Sequence, residues 1–203
     1  AGAREWDIET DSLRGVLGSD YESVNRRAQQ SGLDLALFDG FAPWMVATTL
    51  LQLELAKRGL LEFAVIDPGS VNFIALDGTM PGSVYANPED HITHGLRFAC
   101  RHGFHPAYAI YEPGFTRTGA SMAIRMGAPV PVYRFMFSDA FAWGFPPRPH
   151  HLEAHVRLLG EAQPGAPWMA AGLGVDIRPL IATAVLLGGH VRVGLEDAPL
   201  GTP

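Results

Sequence analysis

The sequence predicts an α/β fold, a (β/α)8 TIM barrel, of which this chain carries strands 2–8. Three observations predict it. Short apolar runs alternate with longer segments of helical character almost throughout the 203 residues. Seven strands with six helices between them can be counted, and that rhythm builds a parallel sheet with right-handed crossovers. An open doubly wound sheet, the other architecture with this rhythm, usually has a Gly-rich turn after its first strand; here that strand runs into Asp11-Ser12-Leu13-Arg14-Gly15. A complete barrel typically needs about 250 residues. Residues 1–203 are therefore expected to form a single, incomplete barrel domain lacking strand 1 and the closing helix. The absence of an initiator Met before Ala1-Gly2-Ala3 agrees with a piece of a longer chain.

The strands are expected at residues 4–10, 33–38, 62–66, 106–111, 130–137, 168–171 and 190–195. Each is rich in Val, Ile, Phe, Tyr or Leu and bounded by Gly, Pro or Asp. Helices are expected at 21–30, 43–57, 88–101, 118–126, 149–160 and 177–187. Pro43, Pro88 and Pro149 stand where a first helical turn tolerates a missing N–H, and Gly59, Gly103 and Gly127 stand where helices end. Residues 83–86 add a short extra strand.

Composition narrows the function classes. Hydrophobic residues make up 47% of the chain and charged ones 18%, which excludes wholesale disorder. The lone Cys100 excludes an intrachain disulfide framework and a multi-Cys zinc site. A net charge of −6 gives no footprint for nucleic acid. No apolar run reaches the roughly 18 residues of a membrane span, and no charged leader precedes an apolar stretch. A cytoplasmic protein acting on small molecules is the expectation. The apolar segment Phe141-Ala142-Trp143-Gly144-Phe145 reads as a lid over the strand ends or as the interface of a homo-oligomer.

In barrel enzymes chemistry sits at the carboxyl ends of the strands. Those ends deliver Asp7 and Glu9, Asp39, Asp67, Glu112, Ser138-Asp139, Gly172-Leu173-Gly174 and Glu196-Asp197. Asp also opens loops and caps helices, the simpler use of any one of them. Collectively they suggest a cation, since a ring of carboxylates repels itself unless neutralised. Asp7 and Glu9 are two apart and share one strand face, about 7 Å apart along the backbone, which makes them metal-site candidates. Arg192 and Glu196 share a face of the last strand, where a buried ion pair is the plainer reading. Gly172 and Gly174 would let backbone N–H groups face a phosphate. His91, His94, His150, His151 and His155 read as solvated helix faces; His190, after Gly188-Gly189, opens the last strand.

The block Gly188-Gly189-His190-Val191-Arg192-Val193-Gly194-Leu195-Glu196-Asp197 resembles the signature of the beta-keto acid cleavage enzymes, the 3-keto-5-aminohexanoate cleavage protein family. Pro167–Gly174, Pro68-Gly69-Ser70-Val71-Asn72-Phe73, Tyr85-Ala86-Asn87 and the opening Ala1-Gly2-Ala3 resemble further family segments. The resemblance implies a (β/α)8 barrel that condenses a beta-keto acid with acetyl-CoA and cleaves it by a retro-Claisen route, giving acetoacetate and an acyl-CoA. It implies Glu196 as a metal ligand, Asp197 as general base, Arg192 as the orienting and charge-stabilising residue, and Ser70, Asn87, Gly172 and Gly174 along the substrate. The chain also departs from the pattern. Asp7-Ile8-Glu9 stands where the family has His-x-His, Ala109 where it has a strand-5 Glu, Phe115 where a His commonly follows, and Asp67 where it has an Asn. Three carboxylates, Asp7, Glu9 and Glu196, are harder ligands than imidazole and favour Mg or Mn over the family's Zn. A diverged barrel that binds a small ligand without turnover is the other reading these departures allow.

Overall fold

The computed structural model describes residues 54–194 together with Arg26, Gln52 and Asp197. The chain divides into two compact units, residues 1–62 and 63–203. In the first, Arg26 and residues 54–57 are helical, and Arg58 reaches back one turn to Glu54 at 2.7 Å. The expected strands at 4–10 and 33–38 lie outside the described residues.

The second unit has the α/β architecture that the sequence predicts, five consecutive strands of a parallel barrel wall. The order is β1 (Phe63–Val65), a hairpin of β2 (Val71–Phe73) and β3 (Ser83–Tyr85), α1 (Glu89–His102), β4 (His105–Ile110), α2 (Pro113–Met126), β5 (Val132–Phe137), α3 (Pro149–Ala162), β6 (Trp168–Gly172), α4 (Arg178–Leu186) and β7 (His190–Val191). The sheet runs β1-β4-β5-β6-β7, every pair parallel. The antiparallel β2–β3 hairpin forms a separate sheet within the β1–α1 connection. Each helix therefore crosses between neighbouring strands, as a β/α succession requires.

Local chemistry sets the helix bounds. Glu89 and Asp90 open α1 and Arg101 and His102 close it, an arrangement that complements the helix dipole. Pro113 and Pro149 occupy the first turns of α2 and α3. Helix α2 begins at Pro113, not at residue 118, because the first-turn proline outweighs the poor helix formers Gly114, Thr116 and Gly119.

The sheet separates two apolar layers. Tyr108, Ile110, Tyr133, Phe135, Phe137 and Trp168 project outward and pack under the helices with Leu96, Leu152 and Leu180. The alternate residues Ala109, Met136 and Ala171 project inward and are covered by Trp143. Strands buried on both faces read as almost uninterrupted apolar runs, which is why they were visible in the sequence. The Phe141–Phe145 segment packs on Ala109, Met136 and Ala171 through Trp143, which is only 2% exposed. One expectation is corrected here. His155 is no solvated helix residue: it is 1% exposed, stacked on Phe135 at 4.7 Å and edge-on to Phe137 and Phe145.

Candidate active site

Strand register places the inward side chains in layers. Ala109 pairs with Arg134 and Arg134 with Met169, while Met136 pairs with Ala171 one layer nearer the strand ends. Asp67, just past β1, enters the lower layer. Its Oδ1 accepts the Ala109 N–H at 2.7 Å and its Oδ2 accepts the Tyr85 hydroxyl at 2.7 Å. Arg134 Nη2 lies 3.8 Å from Asp67 Oδ1 and donates to the Ala107 carbonyl at 3.4 Å. Burial holds the Asp67 carboxyl above the usual carboxylate range, against the opposing pull of the Ala109 N–H, Arg134 and the Tyr85 hydroxyl. The Tyr85 phenol is pushed up in turn, by burial first and then by the neighbouring Asp67.

At the far edge, β7 ends at Val191 and the Arg192 N–H donates to the Ala170 carbonyl at 2.9 Å. Arg192 Nη2 stands 3.2 Å from Asp197 Oδ1, an ion pair between the two. The Asp197 backbone is fixed from two sides. Its N–H donates to the Gly194 carbonyl at 3.0 Å, and its carbonyl accepts the Gly174 N–H at 2.8 Å. The Gly174 N–H is thus engaged by the Asp197 carbonyl. Gly172 ends β6, and a Cβ there would collide with Ile177 and Val175. Ser70 and Asn87 meet each other: Ser70 Oγ accepts the Asn87 N–H at 2.8 Å, and Asn87 Nδ2 donates to the Gly69 carbonyl at 3.1 Å, closing the base of the β2–β3 hairpin.

The rim between these edges is aromatic. Phe73 of the hairpin contacts the rings of Tyr85, Tyr111, Phe141 and Trp143 at centroid separations of 5.2–6.0 Å. Backbone bonds knit its two loops together, from Leu76 N–H to the Ala140 carbonyl at 2.9 Å and from Ala142 N–H to the Ile74 carbonyl at 3.0 Å. Gly144 is obligatory: its φ is +60°, and a Cβ would strike the Tyr111 carbonyl. Its N–H donates to Glu112 Oε1 at 3.1 Å. Ser138 Oγ accepts the N–H groups of Ala140 and Phe141 and donates to the Leu173 carbonyl at 2.9 Å.

The described members of the acid ring are therefore engaged by the protein's own donors. Asp67 and Glu112 hold backbone N–H groups, Asp139 faces Arg148 at 3.6 Å, and Asp197 faces Arg192; nearby Asp176 faces Arg178 at 2.7 Å. Among the described residues no three His, Cys, Asp or Glu side chains group as a cation site. Asp7, Glu9 and Glu196, the expected ligands, lie outside the described residues. Phe115 is a core residue of α2 whose ring meets Tyr111 edge-on. Sequence reasoning passed over Arg134; a lone Arg inside the apolar run 132–137 was the available signal.

The family model of the beta-keto acid cleavage enzymes matches residues 26–202. The chain belongs to this family. Two curated relatives in it are 3-keto-5-aminohexanoate cleavage enzymes. That of Acetoanaerobium sticklandii is 25% identical over 136 residues, and that of Fusobacterium nucleatum subsp. nucleatum is 28% identical over 140. Each alignment takes in 67% of this chain and 46% of the relative, so the chain spans about half the length of the curated relatives it matches. Among solved structures, the binary complex of ObcA with oxaloacetate superposes with a TM-score of 0.52 at 17% identity, over 68% of this chain and 35% of that one. That likeness shows a shared fold. Among the described residues, no helix of this family member is long and apolar enough to cross a membrane.

Proposed function

We propose that this chain carries the retro-Claisen chemistry of a beta-keto acid cleavage enzyme, in which a beta-keto acid and acetyl-CoA give acetoacetate and a new acyl-CoA. The observation that supports it is the Arg192–Asp197 pair, held beside the end of β7 by backbone bonds to Gly194 and Gly174. Arg192 offers a planar fork to the carboxylate of the keto acid. Asp197 takes a proton from the carbon between the carboxylate and the ketone, the most acidic C–H of such a substrate. The resulting enolate carbon attacks the acetyl thioester carbonyl and releases the CoA thiolate. The thiolate then adds to the original ketone, the carbon–carbon bond breaks, and acetoacetate leaves after its enolate recovers the proton from Asp197. A divalent ion, Mg, Mn or Zn, belongs to the same reading; bound, it would polarise the keto oxygen. A cytoplasmic location and homo-oligomeric assembly belong to the same reading.

A second reading, ligand binding without turnover, draws on Ala109 at the position of the family's strand-5 Glu. One experiment separates the two. Acetoacetate release from acetyl-CoA and a beta-keto acid is measured with purified protein, then with Arg192→Lys and Asp197→Asn, each checked for folding by circular dichroism. A loss of about 100-fold or more in either variant supports the catalytic assignment. Full rates in both overturn it, and an inert wild-type chain that still binds keto acid selects the second reading. Chelation followed by Mg, Mn or Zn return tests the ion separately.

A further inference from the structure

The wall beside Arg192 and Asp197 carries information about the substrate's acyl end. Resting on the function proposed above, we infer that the beta-keto acid has an uncharged, apolar acyl substituent rather than one bearing an ammonium group. Leu173 is the link. It precedes Gly174, whose N–H holds the Asp197 carbonyl, and its own carbonyl is held by Ser138. From Leu173 the half-buried surface continues through Phe141, Tyr111 and Phe73, all packed on the sealed floor of Ala109, Met136, Trp143 and Ala171.

Each described acid of this rim already has a partner in the protein. Asp67 is buried under Tyr85 and beside Arg134, Glu112 Oε1 accepts the Gly144 N–H, and Asp139, Asp176 and Asp197 face Arg148, Arg178 and Arg192. An ammonium placed against Leu173, Phe141 and Tyr111 would lose its water, and among the described residues every nearby carboxylate already has a partner. An alkyl or aryl group would lose only unfavourable apolar hydration there. The rim rings add offset and edge-on faces suited to a flat or branched apolar group.

The test compares 3-oxohexanoate with its 5-amino derivative as substrates of the purified protein, with acetyl-CoA in excess. The expected result is a kcat/KM at least about tenfold higher for the unsubstituted acid, which corresponds to about 1.4 kcal/mol. Equal values, or a preference for the amino acid, overturn the inference while leaving the retro-Claisen reading intact. If neither acid is turned over, that reading fails, and the inference is decided by calorimetric binding of the same pair: tighter binding of 3-oxohexanoate upholds it, and equal or weaker binding overturns it. Leu173→Glu provides an internal control, expected to shift the kcat/KM ratio toward the amino substrate. An unchanged ratio in a folded Leu173→Glu variant also counts against the inference.

Discussion

His155 offers a sharp quantitative test of how the outer layer is built. Its ring lies between Phe135, Phe137 and Phe145, and neither ring nitrogen has a hydrogen-bond partner among the described residues. Burial, helped by the nearby His151, pulls its pKa from 6.5 down to about 4. The imidazole is thus neutral in the folded chain where it is already charged in the unfolded one. Because the folded value is the lower, this group's contribution is present above pH 6.5 and is lost as pH falls toward about 4. Between about pH 7.5 and about pH 5 the cost to the fold is about 2 kcal/mol. His155→Phe removes the proton site while keeping an aromatic ring in the stack. Urea midpoints at both pH values give the change in unfolding free energy for each protein. The wild type is expected to lose about 2 kcal/mol more than the variant across that interval. Other titrating groups, Asp67 among them, are common to both chains and cancel in the difference. Parallel pH profiles would refute the account of His155 as a buried neutral ring.

Asp67 titrates with the opposite sign. Its folded value is raised, so its contribution is full below about 3.8 and is lost as pH climbs through the higher folded value; Asp67→Asn is expected to flatten that decline in the same urea assay. Gly144→Ala combines a positive φ with a collision at the Tyr111 carbonyl and is expected to destabilise by about 1–3 kcal/mol, seen as a lower thermal midpoint. Ser138→Ala strands two N–H donors and frees the Leu173 carbonyl, so it is expected to cost about 1–3 kcal/mol and to raise KM more than it lowers kcat. An unchanged KM would show that Leu173 is positioned without Ser138.

Much of the wall was legible because both faces of its strands are apolar. The run 130–137 needed only trimming to Val132–Phe137, and 168–171 only one residue more. Helices α1 and α3 were bracketed within one or two residues by Pro88, Pro149 and the left-handed Gly103. What stayed hidden depends on partners distant in the chain. Strand β2 is three residues long and exists through its pairing with Ser83–Tyr85. His155 looked polar on its helix because its three Phe neighbours come from β5 and the loop beyond it. The last-strand block marked Arg192 and Asp197 but not their contact, which depends on the bond from the Asp197 N–H to the Gly194 carbonyl.

The backbone bonds that join residues 74–76 to residues 140–142 have a kinetic consequence. Neither loop can swing clear of the strand ends without breaking main-chain hydrogen bonds to the other and parting Phe73 from Phe141. Entry to the rim is therefore a single concerted opening. Relaxation measurements on Phe73, Phe141 and Trp143 should return one shared exchange rate, in the μs–ms range of collective loop motion, and not a separate rate for each loop.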